Sequence, residues 1–351
     1  MENADMMPPA GRTSRRVGVF LAWLAMLAPC LHSSQILKYM KIRPERGHLI
    51  RTVPFEKWLE RNYCGPAALA MVLNFWDETQ SFSQRMIADA IYDSENQATY
   101  NSELVLYPRT QGFKSFSFQG DLQILKGLVG KGIPVIVLTK TIKQVAKGHY
   151  RVVIGYDEDE NQIIFHDPYF GDRAYMTNKD FMTVWEMGPG RNQSRWMMAV
   201  VPGDSPFPFD ALKSDPLTSI NLATAFYRRS DFPKSREQWE NVREILRQDP
   251  FPLYSLAMVS LREGKNEEAE TLALKALDLD ANSAYAHDVL GLAYARQGKI
   301  VPAFQSLGRA LQLAPGEEFI RKHYLQVRAL YIEQARLKTI QEKENSNDKT
   351  C

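Results

Sequence analysis

Cysteine is scarce in this chain. Cys30, Cys64 and Cys351 are the three present in 351 residues, and no disulfide framework follows from that count. An excess of either charge is missing as well: 43 lysines and arginines face 41 aspartates and glutamates, a formal net charge of +2. That balance gives no argument for nucleic acid or an anionic surface as partner. His166-Asp167 has no second His/Cys cluster at ligand spacing, so no metal centre is expected. Gly127-Leu128-Val129-Gly130-Lys131-Gly132 resembles a phosphate loop only loosely. It lacks the spacing and the Ser or Thr after the lysine, and reads better as a helix end. Nothing else resembles an ATPase domain, and no cofactor is expected. Beyond residue 28 no stretch is long and apolar enough to cross a bilayer.

A 44% hydrophobic share and 24% charged residues describe a soluble globular protein with material for real cores. At 351 residues, two domains are expected. Residues 1–34 read as a targeting segment. Arg12, Arg15 and Arg16 precede an apolar run from Val17 to Ala28, followed by Pro29 and the small residues Ser33 and Ser34. That order is a basic, then apolar, then polar signal, with export to the periplasm or cell envelope as its consequence. An uncleaved membrane anchor is the alternative. Leu27-Ala28-Pro29-Cys30 resembles a lipoprotein box, although Pro29 stands where Gly or Ala is needed.

Residues 35–52 carry five Lys or Arg and little periodicity, and read as a linker. A compact domain is expected over 53–202. Asn62-Tyr63-Cys64-Gly65-Pro66 places a thiol at the threshold of a helix, with Pro66 in its first turn. The apolar run Leu69-Ala70-Met71-Val72-Leu73 buries that helix. Its dipole and unpaired N–H groups favour the thiolate. Ser83 or Ser81 starts a second helix, Asp121 caps another, and Thr177-Asn178-Lys179-Asp180 opens a fourth through Trp185. Residues 93–119 read as an irregular loop over a cleft. Ile133–Leu138, His149–Tyr156, Gln162–Asp167 and Trp196–Val201 read as antiparallel strands, giving an α+β domain.

Four prolines between Pro202 and Pro216 mark a linker over 203–216. Beyond it Gly264, Ala269, Ala276 and Leu277 recur 34 residues later as Gly298, Ala303, Ala310 and Leu311. That period is the signature of tetratricopeptide repeats, over 217–340 with the clearest units at 250–283 and 284–317. A degenerate unit precedes them, a capping helix follows, and 341–351 reads as a polar tail.

His149 and Asp167 lie on either side of the acidic turn 157–161, and symmetry about residue 158 sets them opposite each other. An imidazole held by a carboxylate is what a cysteine nucleophile needs from its partners. Residues 53–201 resemble the papain-like cysteine peptidases that trim double-glycine leaders from bacteriocin precursors. The resemblance rests on Asn62–Leu69, Gly148–Gly155 and Asp167-Pro168-Tyr169-Phe170-Gly171, with Phe181 and Trp185 after them. It implies Cys64 as nucleophile, His149 as general base then acid, and Asp167 as its orienting partner. Exported bacterial proteins joining this domain to tetratricopeptide repeats form a group that the second half fits. The chain departs from the pattern at one point. The family places a glutamine about six residues before the cysteine to help bind the oxyanion; here Trp58 stands there, and no glutamine lies between Val53 and Cys64. Asn62 and Lys57 are the candidate substitutes. The expectation is an exported cysteine peptidase acting on a peptide or protein, with the repeats holding a protein partner. Its rival is an inert peptidase fold serving as a peptide-binding adaptor, and transglutaminase-like acyl transfer ranks third.

Overall fold

The structure, a computed structural model, describes residues 37–41, 43–140, 148–186, 194–205 and 215–347. The expected targeting segment, Cys30, Cys351 and most of the proline-rich stretch lie outside the described residues. Among the described residues no helix is long and apolar enough to cross a membrane.

The first half is built on an antiparallel sheet. In chain order its strands are β1 (Leu37–Lys38), β2 (Gly47–Leu49), β5 (Phe113–Gln119), β6 (Val135–Lys140), β7 (Gly148–Asp157), β8 (Gln162–Asp167), β9 (Gly171–Thr177) and β10 (Trp196–Pro202). Side by side they run β1-β9-β8-β7-β6-β10-β5, with β2 pairing the far end of β7; β3 (Tyr92–Asp93) and β4 (Ala98–Thr99) form a small hairpin apart. Val135–Val137, Val152–Ile154 and Ile163–Phe165 are at most 1% exposed, which is why these runs are nearly continuous in Val and Ile. Against the sheet packs α1 (Cys64–Trp76), every residue of which from Cys64 to Asn74 is buried. The sheet, with helices around it, makes the α+β half, and the helices from residue 217 onward make the all-α half.

Ser83, Asp121 and Thr177 cap α2 (Gln84–Ile91), α4 (Leu122–Gly130) and α5 (Asn178–Trp185), each accepting a backbone N–H three residues on. Two sequence expectations need correction. Residues 35–52 are no linker where described: β1 pairs with β9 and β2 with β7, so this arm is woven into the sheet. Tyr39 fastens it, donating its hydroxyl to the fully buried Asp157 at 2.9 Å. Residues 93–119 are no open loop either. They hold α3 (Asn101–Thr110), buried from Ser102 to Pro108, and the strand β5, whose alternation Phe113-Lys114-Ser115-Phe116-Ser117-Phe118 hides behind buried serines.

The second half is a run of helical hairpins. The helices α6 (Leu217–Arg228) and α7 (Phe232–Ile245), α8 (Phe251–Arg262) and α9 (Asn266–Leu279), and α10 (Ala284–Arg296) and α11 (Ile300–Leu313) pair in sequence, and α12 (Glu318–Asn347) closes the stack. The hairpin turns carry Ser230, Gly264 and Gly298, 34 residues apart, all with φ between 59° and 78°. The first unit is thus a true repeat in which a serine takes the left-handed position that glycine fills later, at a cost of about 1 kcal/mol. Phe251, Tyr285 and Phe319 keep the same spacing, and Tyr285 stacks on both Tyr254 and Phe319. The end read as a polar tail continues α12 as far as Asn347.

The described residues from Leu37 onward form one compact unit. The join is made by α6, which covers the otherwise open edge of β5. Thr218 Oγ1 donates to Ser117 O and accepts from Ser117 N, both at 2.9 Å, and Asn221 donates to Ser117 Oγ. Arg229 pairs with Glu103 of α3 at 2.6 Å, while Arg228 reaches Asp93 and lies over the Tyr100 ring.

Candidate active site

Cys64 opens α1, and its N-terminal neighbour Tyr63 supplies no side-chain cap, so the first turn keeps its N–H groups directed at the thiol's end of the helix. Asn62, with φ of 72°, turns the chain into the helix in a left-handed conformation that asparagine tolerates. Gly65 is required here. A Cβ on it would lie 2.8 Å from the Thr99 side chain, because the β3–β4 hairpin closes on the helix start. Cys64 itself is 8% exposed, buried but still reachable.

Across from it, β7 carries His149 and the end of β8 carries Asp167, 4% and 0% exposed. His149 Nε2 and Asp167 Oδ1 are 2.8 Å apart. That leaves the other ring nitrogen for a second partner, and the Cys64 thiol is near enough for it and His149 to shift each other's protonation. The structure therefore brings Cys64, His149 and Asp167 together. The symmetry argument that set His149 directly opposite Asp167 is off by two residues. The hairpin closes at the Asp157–Gln162 pair rather than about residue 158, and after a one-residue register shift between Val153 and Gly155 the strands pair Val152 with His166, which carries Asp167 toward Arg151 instead. Because the offset is an even number, Asp167 stays on the same face as His149.

Arg151 is the residue that sequence reasoning missed. It is 1% exposed and donates from Nε to Asp167 Oδ2 at 2.7 Å. Its Nη1 donates to Thr139 Oγ1, and that hydroxyl donates to the backbone carbonyl of His149 at 3.0 Å. Asp167 Oδ1 also accepts the N–H groups of Tyr169 and Phe170. A signal was available: an arginine two residues after His149, inside the otherwise apolar run Tyr150-Arg151-Val152-Val153-Ile154. It faces the same side of the strand as His149.

The electrostatics follow from burial and these contacts. Burial pushes the Cys64 thiol up, but the hydrogen bond and charge of His149 and the Tyr150 N–H together hold it below its usual value. Burial works to lower His149, yet the charge and hydrogen bond of Asp167, joined by Cys64, carry it up to about 9. Burial would raise Asp167; His149 and Arg151 hold it well below the carboxylate range. Both directions favour a thiolate beside an imidazolium at neutral pH, the reactive form of a cysteine nucleophile.

The oxyanion side is different. Trp58 sets its ring edge-on to His149, with centroids 6.2 Å apart, and its backbone N–H donates to Pro168 O. It meets Tyr169 at 5.0 Å, and Tyr169 in turn meets Phe170; both are nearly half exposed, so an aromatic shoulder flanks the histidine. Lys57 is exposed. Among the described residues neither the Lys57 nor the Asn62 side chain hydrogen-bonds Cys64, His149 or Asp167. The buried Gln84 spends its amide on the Lys57 carbonyl and Glu56, and accepts the Leu59 N–H at 2.7 Å. It braces the Trp58 loop. His166 has no part in the set, since its two nitrogens are taken by Val53 O and Arg173 N. Among the described residues no group of side chains is suited to hold a metal ion.

Residues 50–190, most of the α+β half, match the model of the Peptidase_C39 like family. The helical half is similar to solved tetratricopeptide structures. One is the first such domain of Spaghetti (RPAP3) bound to an HSP90 peptide, at 15% identity over 33% of this chain and 95% of that chain, with a TM-score of 0.32. A second is the Sgt2 domain from Aspergillus fumigatus, at 20% identity over 38% and 85%, with a TM-score of 0.32. A third is the TPR2B–pHsp70 complex of yeast Sti1, at 16% identity over 34% and 98%, with a TM-score of 0.31. No curated protein sequence matches this chain.

Proposed function

We propose that the protein is a cysteine peptidase. The Cys64 thiolate attacks the carbonyl carbon of a peptide bond, and the His149 imidazolium gives its proton to the departing amine. Water, deprotonated by His149, then hydrolyses the thioester and returns the thiol, with Asp167 holding the ring throughout. The observation that carries this reading is the 2.8 Å contact of His149 Nε2 with Asp167, which leaves the opposite nitrogen for a thiol at a helix N-terminus. Trp58, Tyr169 and Phe170 line the approach to His149 and supply contact area for substrate side chains. The repeats recruit a peptide or protein partner, as stacked helical hairpins of 34-residue period do. Incubation with a mixed peptide library under reducing conditions tests the activity: new N-termini are expected, and prior alkylation with iodoacetamide should suppress them.

A second reading has its own support. Trp58 takes the position of the family's oxyanion glutamine, and loss of one such donor costs about 100- to 1000-fold in rate. In that reading the domain binds peptides without cleaving them. A library left uncut while the chain still retains peptides would favour it.

We further propose export, on the arginines and apolar run that open the sequence. Expression in a Gram-negative host should give a mature chain beginning near residues 31–36. Intact Met1 on soluble cytoplasmic protein would overturn this.

A further inference from the structure

We propose that Arg151 is a positioning residue of the site, holding Asp167 and Thr139 in place around His149 and supplying the positive charge that balances the Asp167 carboxylate. The inference rests on the catalytic reading of Cys64 and His149. Its geometric half is a closed ring. Arg151 Nε binds Asp167 Oδ2, which leaves Oδ1 for His149 Nε2; Arg151 Nη1 binds Thr139, whose hydroxyl binds the carbonyl of His149 itself. One guanidinium thereby fixes the histidine through its side chain and through its backbone.

The electrostatic half is a count of charges in a buried site. In the reactive form Cys64 and Asp167 are negative, His149 and Arg151 positive. The other groups facing the site leave that sum unchanged. Tyr150 donates its hydroxyl to Asn101 Oδ1 at 2.6 Å, with Thr99 O a more distant acceptor, and burial holds it protonated. His166, on the opposite face of β8, stays neutral, carried down to about 4 by burial. Trp58 and Tyr169 bring only ring surface and hydroxyl. Removing the guanidinium therefore leaves one uncompensated negative charge beside the thiolate, and the Asp167 charge already works to raise the Cys64 thiol.

Packing alone does not account for the residue. Arg151 Nη2 is buried with no hydrogen-bond partner among the described residues, and a buried ion pair is commonly replaced by apolar side chains without loss of stability. A cation kept at that cost, 2.7 Å from the carboxylate that orients the histidine, points to an electrostatic task.

The test is the pH dependence of Cys64 alkylation by iodoacetamide, read site by site by mass spectrometry, in the wild type, Arg151→Met, Arg151→Lys, Asp167→Asn and the double variant Arg151→Met/Asp167→Asn. The wild-type midpoint is expected below the roughly 8.5 of an ordinary thiol. Arg151→Met should move it up by about one pH unit or more, Arg151→Lys should restore most of the shift, and the double variant should return toward the wild type. Where Arg151→Met does not fold, the comparison passes to the other pair: Asp167→Asn, with its unbalanced guanidinium, should titrate about one unit below the double variant. Coincident midpoints in either comparison overturn the role given to Arg151. An ordinary midpoint in the wild type overturns the catalytic reading of Cys64 instead.

Discussion

Peptide hydrolysis is expected to disappear in Cys64→Ala, a loss of about 10⁴-fold or more that leaves the fold intact. The sulfur is the one group at the helix start that can form the covalent intermediate, and a missing nucleophile forfeits the whole two-step route. A single small change on a helix whose neighbours from Gly65 to Asn74 stay buried removes little packing, so circular dichroism and peptide retention should be unchanged. The pH profile of the wild-type rate should be a bell. Its acid limb is formation of the Cys64 thiolate, displaced below the ordinary thiol value because His149 and the Tyr150 N–H outweigh burial. Its alkaline limb is loss of the His149 proton near about 9, after which no acid remains for the leaving amine. Hydrolysis that survives in Cys64→Ala would assign the activity to another group.

Asp167→Ala is expected to act on rate and stability together. His149 loses the acceptor that fixes its ring, which should lower kcat by about 100-fold or more. The same change leaves the fully buried guanidinium of Arg151 without its carboxylate, and strands the N–H groups of Tyr169 and Phe170. Breaking one side of a buried pair costs about 3–5 kcal/mol, which urea denaturation should register at neutral pH. The sign with pH follows from the carboxyl being held below its unfolded value. Its stabilisation is present above the ordinary carboxylate pKa of 3.8 and lost as pH falls. The variant should therefore be weaker than the wild type at pH 7 and differ less from it in strong acid. A neutral-pH stability equal to the wild type would show that Arg151 does not depend on Asp167.

Much of this arrangement was legible in the sequence because it rests on local signals. A thiol before a proline and an apolar run reads as a buried helix start, and α1 begins at Cys64 itself. Asp121 and Thr177 announce their helices through cap chemistry, and the 34-residue recurrence of Gly264 and Gly298 is visible as letters before it is visible as left-handed turns. Non-local features were hidden. The arm at 37–49 lacks any run long enough to read as strand; its place is decided by the free edges of β7 and β9. The strand β5 alternates serine with phenylalanine, and those serines are buried because Arg109 and α6 reach them, which no short-range pattern reveals. The two-residue offset between His149 and Asp167 combines a turn closed by the Asp157–Gln162 pair, later in the chain than a centre at residue 158, with a one-residue register shift between Val153 and Gly155; symmetry about the acidic run anticipates neither. Arg151 shows the same limit from the other side. Its charge in an apolar strand was visible, but its partners are set by that offset.

The central claim is that Cys64 is an activated nucleophile, and labelling with a peptidyl acyloxymethyl ketone at neutral pH bears on it most directly. Adducts on Cys64 and on Cys351 are counted by mass spectrometry over time, in the wild type and in His149→Ala. Cys64 is expected to react about 100-fold faster than Cys351, although it is 8% exposed, and His149→Ala should erase most of that advantage. Equal labelling of the two thiols, or a Cys64 rate indifferent to His149, would contradict it.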